Sequence, residues 1–356
     1  MEVDYIIVGQ GIAGSVLSYT LMQQGSKVMV VDNGSSFTSS KVAAGIFNPV
    51  TGKRLVKTWE ADKLFPFLEN FYMGMEWELQ ADFFHLMPIY RPYKSIEEQN
   101  SWTAKTALPE LIAYTESKVN NQAYSRSIHN PFGGILITNS GFIDIPVLLK
   151  AHQQYLIARN SYLQQPFNYA DIEVLERQVI WHGIKAKKIL FCEGTHNSKN
   201  PYFHWLPFEL VKGELLLVHI PGMNIDHIIN RGVYILPMGN NYYKVGATYE
   251  WDNLNWETTP DAKQEITDKL KGLVKLPFTV IDHLAGIRPA TADRRPFIGL
   301  HPEYPVFGIF NGLGTKGISL VPYFTNHLVE HLEEGKDLDT EVHINRYFSL
   351  YYKSKY

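Results

Sequence analysis

Three stretches of this chain hold residue types that act by position. Gly9-Gln10-Gly11-Ile12-Ala13-Gly14 sets glycines where a backbone must turn and lie against a ligand. Arg288, in Gly286-Ile287-Arg288-Pro289, offers a planar guanidinium on a residue that the next proline biases toward an extended backbone. Lys316, in Gly312-Leu313-Gly314-Thr315-Lys316-Gly317, sets a second cation in a glycine loop. Such cations hold carboxylates, and a guanidinium does so through two parallel hydrogen bonds. Metal chemistry has little to work with: there is no HExxH and no EF-hand pattern, although 13 histidines leave other sites open. The one cysteine, Cys192, excludes an internal disulfide, a CxxC pair and a cysteine-built zinc site. It reads as a small buried hydrophobe.

The elements that position the first stretch are legible. Residues 4–8 read as a buried strand and 12–24 as a helix with Ile12, Val16, Leu17 and Leu21 on one face. Gly25 stops that helix, and 27–31 form a second strand ending in Asp32. Strand, GxGxxG, helix, strand and acid together are a dinucleotide site. Gly9 permits the tight turn, Gly11 lets the backbone approach a diphosphate, and Gly14 lets helix and strand pack closely. The helix N-terminus favours negative charge. Asp32 can accept hydrogen bonds from a ribose diol. The motif alone separates neither NAD nor FAD.

Composition bounds the rest. The 356 residues suggest two domains, and 45% apolar with 19% charged residues is ordinary globular chemistry. A net charge of −3 gives no whole-protein attraction to nucleic acid or an anionic membrane. The acidic start with its quickly broken apolar run does not match a secretory signal, and no apolar stretch approaches a membrane span. A soluble, cytoplasmic protein is expected. The 13% aromatic fraction suits a protein enclosing a large flat ligand, and equally a rich core.

Further along, 60–80 reads as a helix, 83–91 and 132–138 as strands, and 145–159 as a helix capped near Asp144 with Pro146 in its first turn. Short strands are expected at 172–175 and 178–182, and a buried one at 188–192. An antiparallel set follows at 214–219, 234–237 and 242–247. A helix is expected at 260–273, a strand at 306–310 and a last helix at 318–334.

The order of these pieces resembles the FAD-dependent D-amino-acid oxidase superfamily, which holds glycine oxidase and monomeric sarcosine oxidase. Ala43-Ala44-Gly45 is similar to the family's flavin-facing loop. Ile189–Gly194 stands where the family has an apolar strand ending in Ala-Gly, and Lys212-Gly213-Glu214-Leu215 is similar to the first strand of its substrate sheet. The most specific match is Gly286–Gly299 followed by Asn311–Gly317. The resemblance implies an α/β protein. A Rossmann-type FAD-binding domain would take 1–82, 138–206 and 282–356, with an inserted antiparallel-sheet substrate domain from 83–137 and 207–281. It assigns cofactor binding to Gly9, Gly11, Ile12, Ala13, Gly14 and Asp32, to Ala43, Ala44, Gly45 and Gly194, and to Gly312, Gly314, Thr315, Lys316 and Gly317. The family more often carries Glu than Asp where Asp32 stands. The tethering cysteine of sarcosine oxidase has no counterpart between the Arg-Pro motif and the glycine loop, so the FAD is expected to be non-covalent.

The implied reaction is hydride transfer from a substrate α-carbon to flavin N5, with the flavin as electron sink and O2 or another acceptor taking the electrons. Only the free amine need reach N5, so no catalytic triad is required. By motif, Arg288 matches the family's carboxylate-pairing arginine and Lys316 the carboxylate-binding lysine of sarcosine oxidase. The substrate would be a small amine or amino acid. Tyr234, Tyr242 and Tyr249 are candidates for the pocket wall, and strand alternation admits only some of them. His204 and Trp205 receive no role. A second resemblance is to the FAD domain that removes a carboxymethyl group from a modified tRNA wobble uridine. Lys41, Lys53, Arg54 and Lys57 form a basic run that could touch phosphates, although a solvated face explains it as well.

Overall fold

The structure is a computed structural model that describes residues 1–117, 119 and 121–354. Its first sheet has eight strands. Tyr162–Gln164, Val28–Asp32, Glu2–Val8 and Ile184–Phe191 lie side by side in parallel. Tyr5, Ile6, Ile7 and Val8 are all buried, as a strand covered on both faces requires. Ile184–Phe191 changes partner along its length. Its start pairs antiparallel with Val179–Trp181, and its end pairs parallel with Phe307–Asn311.

The helix Ile12–Gln23 leaves the end of the first strand at the glycine loop. Residues 12–21 are buried, so it is enclosed rather than amphipathic. Gly317–Glu334 and Ile145–Ala158 pack against it, and the first of these also packs on Ala61–Leu79. The Asp144 side chain caps Ile145–Ala158 by accepting from Val147 N at 3.3 Å, a contact worth about 1 kcal/mol. The other side of the sheet carries a second core built on Trp181, Phe191, Phe203 and Phe307.

The second sheet also has eight strands. Thr279–Thr291, Phe208–His219, Tyr242–Gly246, Tyr234–Pro237, Ile228–Asn230, Ile89–Pro92, Gly134–Ile137 and Thr115–Glu116 follow in that order. It is antiparallel except for one parallel pair, Ile228–Asn230 with Ile89–Pro92. Pro260–Lys271 covers its outer face with Ile266 and Leu270.

Two expectations change here. The run 83–91 is two strands, because Met87-Pro88 separates Phe84–Leu86, in a small three-stranded sheet, from Ile89–Pro92 in the second sheet. Proline cannot donate to a ladder, so the strand breaks where pairing changes. The boundary expected at 282 falls inside Thr279–Thr291, which pairs with Phe208–His219 over its whole length. Arg288 therefore stands on the second sheet.

Candidate active site

The two sheets enclose a cavity of about 590 Å³. Its nucleotide end forms where Glu2–Val8 meets the glycine loop. Gly9 has φ +100° and a Cβ there would lie 2.6 Å from Cys192 O, so only glycine fits. Gly14 does not face the cavity. Its α-carbon packs on the loop from behind, where a Cβ would lie 1.9 Å from Gly9 O. Asp32 is held by the backbone: Gln10 N donates to Oδ2 at 2.8 Å and Gly34 N to Oδ1 at 2.7 Å. No side chain caps the helix at Gly11, and Ile12 N donates to Ser40 Oγ at 3.1 Å. Sequence reasoning misses Ser40, whose one signal is its place in a run of small polar residues.

Gly11, Ile12, Ala13 and Asp32 line this end, as does Gly194. Ala43, Ala44 and Gly45 line the middle. The segment before them is tied to the second sheet, since Ser39 Oγ donates to Ile287 O and Val42 packs over Gly286. Gly314, Thr315 and Gly317 complete the wall at the uncapped start of Gly317–Glu334. Gly312 sits beneath, against Thr291. These glycine-shaped approaches and the two helix N-termini, at Gly11 and at Lys316, fit the FAD that the sequence implies. Cys192 lines the same cavity, yet burial pushes its thiol well above the ordinary range. Such a thiol is a poor nucleophile.

The far end is built on strand alternation. Arg288 lies opposite Val211, and its guanidinium extends over Gly213, where a Cβ would lie 2.0 Å from Nη2. Nothing local in the sequence singles out Gly213, because the side chain it accommodates comes from 75 residues later. Arg288 Nη1 donates to Lys212 O at 3.4 Å and to Thr248 O at 3.3 Å, and the Tyr249 ring lies 4.6 Å away. Among the described residues no carboxylate pairs with Arg288. Burial holds this guanidinium below its ordinary value, while Tyr249 and Tyr234 oppose the shift. Tyr234 and Tyr249 line the cavity. Tyr242 does not; its ring lies against His219.

Lys316 is not brought to the cavity wall. Burial, together with Arg295 and Arg294, holds its ammonium below the usual lysine value. Two members of the basic run have local partners: Lys57 pairs with Asp62 at 2.6 Å and Lys41 donates to Ser35 O.

The FAD dependent oxidoreductase (DAO) family profile matches residues 4–330. A tRNA 5-methylaminomethyl-2-thiouridine biosynthesis bifunctional protein of Legionella pneumophila is 23% identical over 371 positions, covering 91% of this chain and 53% of that protein. The chain thus spans about half the length of that relative. Glycine oxidase of Bacillus subtilis is 24% identical over 364 positions, 95% of each chain. Among solved structures, glycine oxidase from Bacillus cereus matches with a TM-score of 0.79 over 94% of this chain and 96% of that one, at 19% identity. Iminodiacetate oxidase from Chelativorans gives 0.76 over 96% and 98%, at 18% identity. Likeness at these identities is likeness of fold. Among the described residues no helix is long and apolar enough to cross a membrane.

Proposed function

The chain belongs to the DAO family of FAD-dependent oxidoreductases, and from that premise we propose that it oxidises the C–N bond of a small amino acid or secondary amine bearing a carboxylate. The observation that carries this reading is Arg288, a half-buried guanidinium lining the cavity whose partners among the described residues are backbone carbonyls and an aromatic ring. A substrate carboxylate supplies the missing anion, and bidentate pairing fixes its orientation. Tyr234 and Leu215 wall the same end. FAD, when bound, supplies the two-electron acceptor. The protein then needs only to admit the amine as its free base and hold it by the carboxylate. The resulting imine is hydrolysed by water. The acceptor that reoxidises the flavin is O2 or another oxidant. We take the FAD as non-covalent, since Cys192 is a buried thiol. A cytoplasmic location is part of this reading, supported by the single cysteine.

The test is anaerobic reduction of the flavin absorbance by a panel of glycine, sarcosine, iminodiacetate, D-amino acids and L-proline. Bleaching by a carboxylated amine and not by the same amine without its carboxylate is expected. Equal bleaching by both sinks the reading.

One observation favours a second reading. Phe37 and Tyr249 line the cavity and each has a second ring beside it: Trp256 lies 6.3 Å from Phe37 and Trp251 stacks 6.2 Å from Tyr249, between ring centroids. Such rings suit a large flat N-substituent, as in removal of a carboxymethyl group from a modified tRNA wobble uridine. Flavin reduction by that tRNA, with none by free amines, would select it.

A further inference from the structure

A second acid reaches the cofactor cavity. The glycine loop runs between the ends of two strands, Val28–Asp32 and Ile184–Phe191. Asp32 ends the first, and Glu193 follows the second. A Cβ built on Gly9 would lie 3.6 Å from Glu193 Cα, and Glu193 lines the cavity beside the loop. The resembled family has alanine at this place, so the acid is a feature of this chain.

Its carboxyl sits in a socket of donors. The Tyr169 hydroxyl donates to Oε1, and Asn200 Nδ2 donates to Oε2 at 2.7 Å. The Asn200 amide is itself oriented. Its Oδ1 accepts from Tyr202 N at 2.8 Å and Phe203 N at 3.3 Å, which leaves Nδ2 for Glu193. Tyr169 is held between Phe167 and Phe191. The other titratable groups near by are Cys192, a neutral buried thiol, Asp32 across the loop, and His196 and Lys199 on the following turn. Among the described residues no cation pairs with Glu193. Burial raises its carboxyl to about 7, against the lowering effect of the Tyr169 and Asn200 bonds.

A dinucleotide brings a diphosphate to this loop. An ionised Glu193 would repel it in a low-dielectric site, whereas the neutral acid has an O–H to donate to it. We propose that Glu193 is a cofactor-contacting residue that receives FAD as the neutral acid, so that binding draws a proton from solution. One carboxylate gains one proton, and no electron moves. The proposal concerns the cofactor and holds whichever amine is oxidised.

The experiment is calorimetric titration of FAD into the apoprotein, in pairs of buffers that differ in ionisation enthalpy. Near pH 7 the wild type is expected to take up about half a proton per FAD, with Kd rising toward about tenfold per pH unit above that. Glu193→Gln should bind FAD without this uptake and with a flatter pH profile. Circular dichroism checks that each apoprotein is folded. Equal uptake in both proteins, proton release by the wild type, or a folded Glu193→Gln that no longer binds FAD overturns the proposal. If the variant does not fold, wild-type titration decides alone, and absence of uptake overturns it. A wild-type apoprotein that binds no FAD overturns it together with the cofactor assignment.

Discussion

Two cations stand one register position apart on paired strands and face opposite ways. Lys212 points to the outer face of the second sheet and is 1% exposed. Its Nζ lies 3.4 Å from Glu214 Oε1 and donates to Asn255 Oδ1 at 2.9 Å. Glu214 in turn accepts from Thr259 N at 2.8 Å and from Thr259 Oγ1 at 3.1 Å, at the start of Pro260–Lys271. Both charges there have protein partners. Arg288, on the inner face, has carbonyls at 3.3–3.4 Å and, among the described residues, no acid. A buried charge that the protein answers is scaffold, and one it leaves unanswered marks where a ligand of opposite charge belongs.

Substitutions sharpen that contrast. The largest effect is expected from Lys212→Ala, which leaves Glu214 buried beside an empty place and should cost about 3–5 kcal/mol of stability by chemical denaturation. KM of the folded enzyme should barely move. A KM change as large as that of an Arg288 variant would break the distinction. Arg288→Ala should raise KM for a carboxylated substrate about a hundredfold, as loss of a buried charge pair does, with FAD content unchanged. Equal loss of FAD would make Arg288 structural. Gly213→Ala drives a methyl into the guanidinium and should raise KM about tenfold through misplacement alone. A wild-type KM would show that Arg288 acts from another position. Smallest is Tyr249→Ala, where losing the ring beside Arg288 should cost about 0.5–1 kcal/mol, roughly threefold in KM. No change there would leave Tyr249 a rim residue only.

The glycine loop, its helix and Asp32 were legible because the whole βαβ unit is local and each residue type has one physical reason to be there. Arg288 was legible through its motif, and the structure puts it on the cavity wall. Lys316 sits in a similar motif, yet its side chain lies under the influence of Arg294 and Arg295 instead of on that wall, because a loop motif fixes a backbone and not a rotamer. Tyr242 and Tyr234 look alike in sequence; strand partners and position along the sheet separate them. Gly213 and Glu193 stayed hidden since their meaning depends on Arg288 and on Tyr169 and Asn200, which only long-range pairing brings near. The short strand Tyr162–Gln164 lacked the length for a periodic signal.

The first sheet has a further consequence for biosynthesis. Its glycine loop leaves the ribosome well ahead of the strand that flanks Ile184–Phe191 and the helix that covers Ile12–Gln23, which come from residues 307–334. Until residues 307–334 emerge, the dinucleotide loop is exposed beside an unpaired strand edge, which is an aggregation hazard. The cofactor can be gripped only after nearly 90% of these 356 residues has been made, roughly the point at which such non-local pairing first becomes possible. Nascent chains arrested before residue 307 should therefore retain no flavin, and chains released after residue 334 should.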